Sequence, residues 1–111
     1  MYSKIFHTTS LEWQPSGIDG VTFKTIDGDM TTGKSVVLYH FEPGSVVPAH
    51  THTQSDELGY VLEGEFIEGG VAYHAGSVFS APAGTVHGEH RTNTGATVMF
   101  VLSDTLDFVM A

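Results

Sequence analysis

The chain has 111 residues, 13 acidic and 4 basic, a formal charge of −9 and no cysteine. Its few cations, Lys4, Lys24, Lys34 and Arg91, are scattered, which argues against nucleic acid and anionic membrane as partners. Without thiols, stability must come from packing, and any metal must be held by His, Asp, Glu or backbone oxygen.

The length suits one domain around one core. No apolar run approaches the roughly 20 residues of a membrane span, and the N-terminal "MYSKIFHTTSLEW" lacks the apolar stretch of a signal peptide, so a cytoplasmic location is the default expectation.

In chain order, residues 1–18, with Trp13 and Pro15, read as an arm lying across the barrel or across a partner, and residues 19–111 as the barrel itself. Trp13 is expected to plug one end of the core. The segments Val21 to Ile26, Ser35 to Phe41, Glu57 to Glu68, Ser77 to Ala81 and Ala96 to Leu102 are rich in β-branched and aromatic residues and bounded by Gly, Pro, Asp or Asn, so each reads as a strand. The connecting "DGD" at Asp27 to Asp29, "EGG" at Glu68 to Gly70 and "NTG" at Asn93 to Gly95 supply residues that tolerate positive φ. No window of ten or more residues carries helical apolar spacing, and 13 glycines interrupt the chain, so the predicted class is all-β, a sandwich or barrel.

The chemistry concentrates in "PGSVVPAHTHTQSDELGYVLEGEF". Side chains alternate along a strand, so His50 and His52 share a face and can place two imidazoles on one ion. Glu57 follows after a polar loop that can return its carboxylate beside them, and "PAGTVH" offers His87 as a fourth candidate. Two neutral nitrogens and a carboxylate suit a divalent first-row metal with open coordination positions.

The first stretch reads G-x5-H-x-H-x4-E-x6-G, through Gly44, His50, His52, Glu57 and Gly64, and the second G-x5-P-x-G-x2-H, through Gly76, Pro82, Gly84 and His87. Together they resemble the paired signature of the cupins, small double-stranded β-helix (jelly-roll) barrels that hold a metal inside. The resemblance implies His50, His52, Glu57 and His87 as ligands of one divalent transition metal per chain. Where the family's second motif often ends in Asn, this chain has Arg91.

As a short single-domain cupin, the chain looks similar to the group that includes acetylacetone-cleaving dioxygenase and the cupin domain of ChrR-type anti-sigma factors. By that resemblance it is expected to be a non-haem dioxygenase using Fe(II), with Zn, Mn or Ni as other possible ions, acting on a small diketone-like or phenolic substrate that chelates the metal through oxygen. Glu57 is then a catalytic residue as well, either a permanent ligand or a base. A metal-dependent isomerase, cyclase or lyase and a non-catalytic metal or small-molecule sensor are the alternatives.

For the substrate pocket, parity along the strands nominates Gly59, which shares the face of Glu57 and leaves space beside the metal, together with Glu89, Arg91, Phe79 and Met99. His40 shares the parity of Val36 and Leu38 and either lines the pocket or is a satisfied core histidine. Glu89 and Arg91 either orient a substrate or form a rim salt bridge. His90, opposite in parity to His87, is expected to point away from the metal, and His7 and His74 to face solvent. Leu58, Tyr60 and Leu62 form an apolar stripe expected to pack under the arm or against a second copy, as in a homodimer.

Overall fold

A computed structural model describes residues 1–111. It contains twelve strands, one 3-10 turn at Thr8–Ser10 and no α-helix. The strands are β1 (Gln14–Pro15), β2 (Val21–Gly28), β3 (Ser35–Phe41), β4 (Val46–Val47), β5 (His50–Thr51), β6 (Glu57–Glu68), β7 (Val71–His74), β8 (Val78–Ala81), β9 (Val86–His87), β10 (His90–Arg91), β11 (Ala96–Leu102) and β12 (Val109–Met110). The five strands read from the sequence appear as β2, β3, β6, β8 and β11, while β7 and the two-residue strands around the histidines do not stand out in the sequence. No helix is long and apolar enough to cross a membrane.

Two sheets curl around one core. The larger runs β1-β2-β3-β11-β6-β10-β4, with β7 and β8 also on β6, and the smaller runs β12-β5-β9. Long β6 serves both halves of the larger sheet: Glu57 to Tyr60 pair with β8, and Glu65 to Glu68 with β7. The change of partners falls at Gly64, whose φ of 79° belongs to the left-handed region that glycine enters at low cost. A Cβ there would lie 2.8 Å from Ala96 Cα, so the spacing that puts a glycine at this position serves a close backbone approach.

The alternation of β6 is as its sequence suggests: Glu57, Gly59 and Val61 are buried, Leu58, Tyr60 and Leu62 exposed. In β3 and β11 the inward residues include Val37, Phe41, Val98, Phe100 and Leu102. With Phe66, whose full burial is worth about 2–3 kcal/mol, they form the core.

The N-terminal arm lies along the outer face of β2. Lys4 donates from Nζ to Ile26 O (3.1 Å) and pairs with Asp27, and Lys24 donates to Thr8 O at 2.9 Å. Trp13 does not plug the core. It stays 40 % exposed on the outside of the sheet, with the Lys24 ammonium 4.6 Å above its ring and His40 against it. The arm crosses an outward face, so the cation and the ring, not the core, hold the indole.

Candidate metal centre

The two short strands that carry the histidines are held in register. His50 on β5 stands directly opposite His87 on β9, and Met110 of β12 pairs on the other edge of His50. Gly44, at φ 84°, makes the turn that feeds the segment, and its amide is tied to Thr92 O at 2.8 Å. His52 lies two residues beyond His50, and Glu57 opens β6 facing inward. The four residues are between 3 and 8 % exposed, so the cluster lies inside the barrel.

Ring centroids of His50 lie 4.8 Å from His52 and 5.3 Å from His87. Glu57 Oε2 is 3.1 Å from His52 Nε2 and 3.6 Å from His87 Nε2. Donor atoms of His52, Glu57 and His87 all fall within 4.8 Å of one another, and His50 flanks this trio.

Backbone carbonyls orient two of the rings. His50 Nδ1 lies 2.7 Å from Pro48 O, and His52 Nδ1 lies 2.6 Å from Asp107 O. A carbonyl only accepts, so each Nδ1 carries a proton and each Nε2 is turned toward the cluster, ready for a metal once the proton that His52 Nε2 shares with Glu57 has left. The Asp107 carboxylate accepts in turn from Thr53 N at 2.7 Å and from the Thr53 hydroxyl, which fixes the segment presenting the carbonyl.

Electrostatics follow the packing. Burial alone would raise the Glu57 carboxyl, but the hydrogen bond from His52 and the charges of His52, His87 and His90 outweigh it and hold the carboxyl below its usual range. Burial likewise opposes a proton on His52, yet the bond to Glu57 and the Asp107 carbonyl win and raise its pKa. His50 is lowered, chiefly by burial, with the Pro48 carbonyl opposing. Three inward imidazoles beside one ionised carboxylate fit a divalent transition ion in donor type, tautomer and burial.

His50, His52 and Glu57 of the cluster line a cavity of about 420 Å³. Its other walls are mainly apolar, among them Val21, Tyr39, Phe41, Phe100 and Leu102. Phe108 stacks on His50 with centroids 4.1 Å apart and planes 20° apart, and Leu106 is tied to the β2–β3 turn through its amide on Met30 O (2.7 Å). Burial, with the Glu57 charge behind it, pushes the Tyr39 hydroxyl up to about 12, so the ring is a neutral wall.

Several residues predicted to line a pocket do not. Gly59 leaves no ligand space, because the Phe79 ring fills it: an added Cβ would collide with Cζ and Cε2, with Cε1 at 2.9 Å. Phe79 is a packing residue instead, stacked on Phe66 at 5.4 Å and 2°. Met99 alternates away from inward Val98 and Phe100, with its Cα opposite that of outward Tyr60. His40 lies on the outer face of β3, its Nδ1 3.0 Å from Thr97 Oγ1 and its ring against Trp13. Glu89 and Arg91 pair with each other at 2.9 Å, both half exposed, so the salt bridge holds and the pocket role does not.

His90 reverses the expectation. It is 5 % exposed and lines the cavity, with its ring 5.3 Å from His50 and 5.8 Å from His87. Strand parity fails because β9 ends at His87, Gly88 and Glu89 break the strand, and His90 restarts in β10 opposite Val47 and Glu68. The glycine after His87 was the available signal. Asp107 gives none, since its role rests on a carbonyl that any residue would supply.

A curled all-β barrel with two short histidine-bearing strands closing over an inward carboxylate defines a cupin. The chain matches the model of the ChrR cupin-like domain over residues 2–106 and belongs to that family. It is 33 % identical over 97 residues to germin-like protein subfamily 2 member 2 of Arabidopsis thaliana, covering 79 % of this chain and 43 % of that protein. It thus spans less than half the length of that curated relative. The solved structure of KdgF from Halomonas sp. superimposes with a TM-score of 0.77 at 25 % identity over 96 % of this chain and 97 % of the other. A putative acetylacetone dioxygenase from Methylibium petroleiphilum shares the fold at a TM-score of 0.74 and 14 % identity, covering 93 % and 78 % of the two chains.

Proposed function

We propose that the chain binds one divalent transition metal on His50, His52, Glu57 and His87 and is a non-haem dioxygenase for a small substrate that chelates the ion through oxygen, such as a β-diketone or a phenol, with Fe(II) as the working ion. The observation that carries this reading is the buried group of His50, His52, His87 and Glu57, of which His50, His52 and Glu57 line a mainly apolar cavity of about 420 Å³. That volume suits a small molecule. The likeness to an acetylacetone dioxygenase adds a precedent for the scaffold.

When bound, the ion would supply a Lewis acid and a site for dioxygen. The protein's own part is to bind, orient and exclude water. Phe108, Phe100 and Tyr39 give the substrate apolar walls, and the stack of Phe108 on His50 closes one side of the site. Glu57 Oε2, buried and ionised, is placed to take the acidic proton of the entering substrate. His52, fixed by the Asp107 carbonyl, keeps its Nε2 aimed at the site beside that carboxylate.

Oxygen uptake by the Fe(II)-loaded protein with acetylacetone and with catechol tests the reading. Uptake matching substrate loss is expected, and Glu57→Gln should keep most of the metal while lowering turnover at least 100-fold, a usual size for a lost general base. No oxygen uptake, with substrate converted by the Zn(II) form, would replace the dioxygenase by Lewis-acid chemistry. Turnover unchanged in Glu57→Gln would remove the base role.

A homodimer through the exposed stripe of Leu58, Tyr60 and Leu62 belongs to the same proposal. These side chains are 38 to 43 % exposed, and Val78 and Val101 on neighbouring strands extend the patch.

A further inference from the structure

One buried donor group is not among the four proposed ligands. His90 Nε2 lies 2.6 Å from Glu68 Oε1, yet no hydrogen bond reaches this buried nitrogen. Two polar atoms that close with no hydrogen aligned between them are stable when a positive centre faces both, which is how two ligands of one cation stand. The register makes the approach a property of the fold: His90 and Glu68 are direct cross-strand partners of β10 and β6. His87 completes the group, since donor atoms of Glu68, His87 and His90 all lie within 4.8 Å of one another.

The surroundings suit a metal rather than a structural ion pair. The His90 imidazole is only 5 % exposed, so its ring nitrogen must find a partner in the fold or in a bound ion. The Phe66 ring packs 4.7 Å from it and closes the inner side. Glu68 is one-third exposed and gives access from solvent. His50 and His52 each have Nδ1 committed to a carbonyl, whereas His87 has no such bond, so its ring can bridge two ions as the imidazolate once its N–H proton is released to solvent.

We propose that Glu68, His87 and His90 form a second seat for a divalent transition cation, adjoining the first and sharing His87 with it. This rests on the reading of the first site only through His87. The donor set, two imidazoles and a carboxylate, is of the kind zinc takes with a fourth position left to water.

Zn(II) alone is the probe. The full chain is dialysed to equilibrium against Zn(II), bound metal per chain is counted by mass spectrometry of the elements, and circular dichroism checks that each variant is folded. Two equivalents are expected for the unaltered chain, and one each for Glu68→Gln, which keeps shape, and His90→Ala. Two equivalents retained by both variants overturn the second seat. So does a single equivalent in the unaltered chain that His52→Ala removes, which leaves the first site standing. A single equivalent that survives His52→Ala and is lost in His90→Ala overturns the first site instead and supports the second.

Discussion

Replacing Gly59 by Ala tests how the centre of β6 is packed. The backbone at Gly59 is ordinary strand, so the cost is steric: the new methyl would overlap the end of the Phe79 ring, with Cε1 only 2.9 Å away. The ring cannot slide freely, because it is stacked on Phe66 at 2° and meets Phe100 edge-on at 5.9 Å. Overpacking of this kind costs about 1–3 kcal/mol. With an unfolding entropy of roughly 2 cal/mol/K per residue, a chain of this length should lose about 4–13 °C in Tm. Shortening the ring in Gly59→Ala/Phe79→Leu should recover part of that loss, so the double-mutant cycle is non-additive by about 1 kcal/mol or more. Urea and thermal unfolding of the four proteins measure it. A neutral Gly59→Ala, or strictly additive effects, would refute the packing and restore an open space beside Glu57.

Three further outcomes are expected. Asp107→Ala frees the segment that presents the carbonyl to His52 and should weaken metal binding about 10–100-fold, read by titration calorimetry; an unchanged Kd would show that the Thr53–Asp107 bonds do not hold His52. In metal-free protein, His90 falls from 6.5 unfolded to about 4 folded, so its share of stability is complete above 6.5 and is lost as pH falls toward 4, roughly 3 kcal/mol at about 1.4 kcal/mol per unit. His50, also lowered, acts in the same sense, while the raised His52 stabilises below 6.5 and loses that share as pH rises. Melting curves should therefore fall between pH 6.5 and 4, less steeply in His90→Leu, and equal slopes would contradict the assignment. Tyr60→Glu should shift sedimentation equilibrium from dimer to monomer with little loss of fold, and a monomeric parent chain would remove the dimer.

The strands and the clustering of His50, His52, Glu57 and His87 were legible for a physical reason. Alternation along β6 is a property of the backbone, so Glu57, Gly59 and Val61 could be placed on one face from sequence, and the histidine spacing in β5 carries the same information. What failed was the extension of parity across a break. Gly88 and Glu89 separate β9 from β10, and His90 turns inward where an unbroken strand would turn it out.

The pocket was harder to read for a different reason. Gly59 looked like room for a ligand, but a glycine opposite an aromatic is as readily filled by the ring, and only the pairing of Gly59 with Phe79 across β6 and β8 decides it. His40 and Met99 alternate correctly but belong to the outer face, which a strand's own sequence does not label as inner or outer. Tyr39, Leu106 and Phe108 come from distant segments brought together by the closing of the barrel. Asp107 acts through its backbone, where residue type leaves no mark.

The most direct measurement is anomalous diffraction from crystals of the Zn(II)-loaded chain, recorded on both sides of the metal absorption edge. The account requires a peak inside the cavity about 2.0–2.2 Å from His52 Nε2, His87 Nε2 and a Glu57 oxygen, the usual zinc–ligand distances. Metal found only on outer residues such as His7, His40 or His74, with no density among His50, His52, Glu57 and His87, would contradict it.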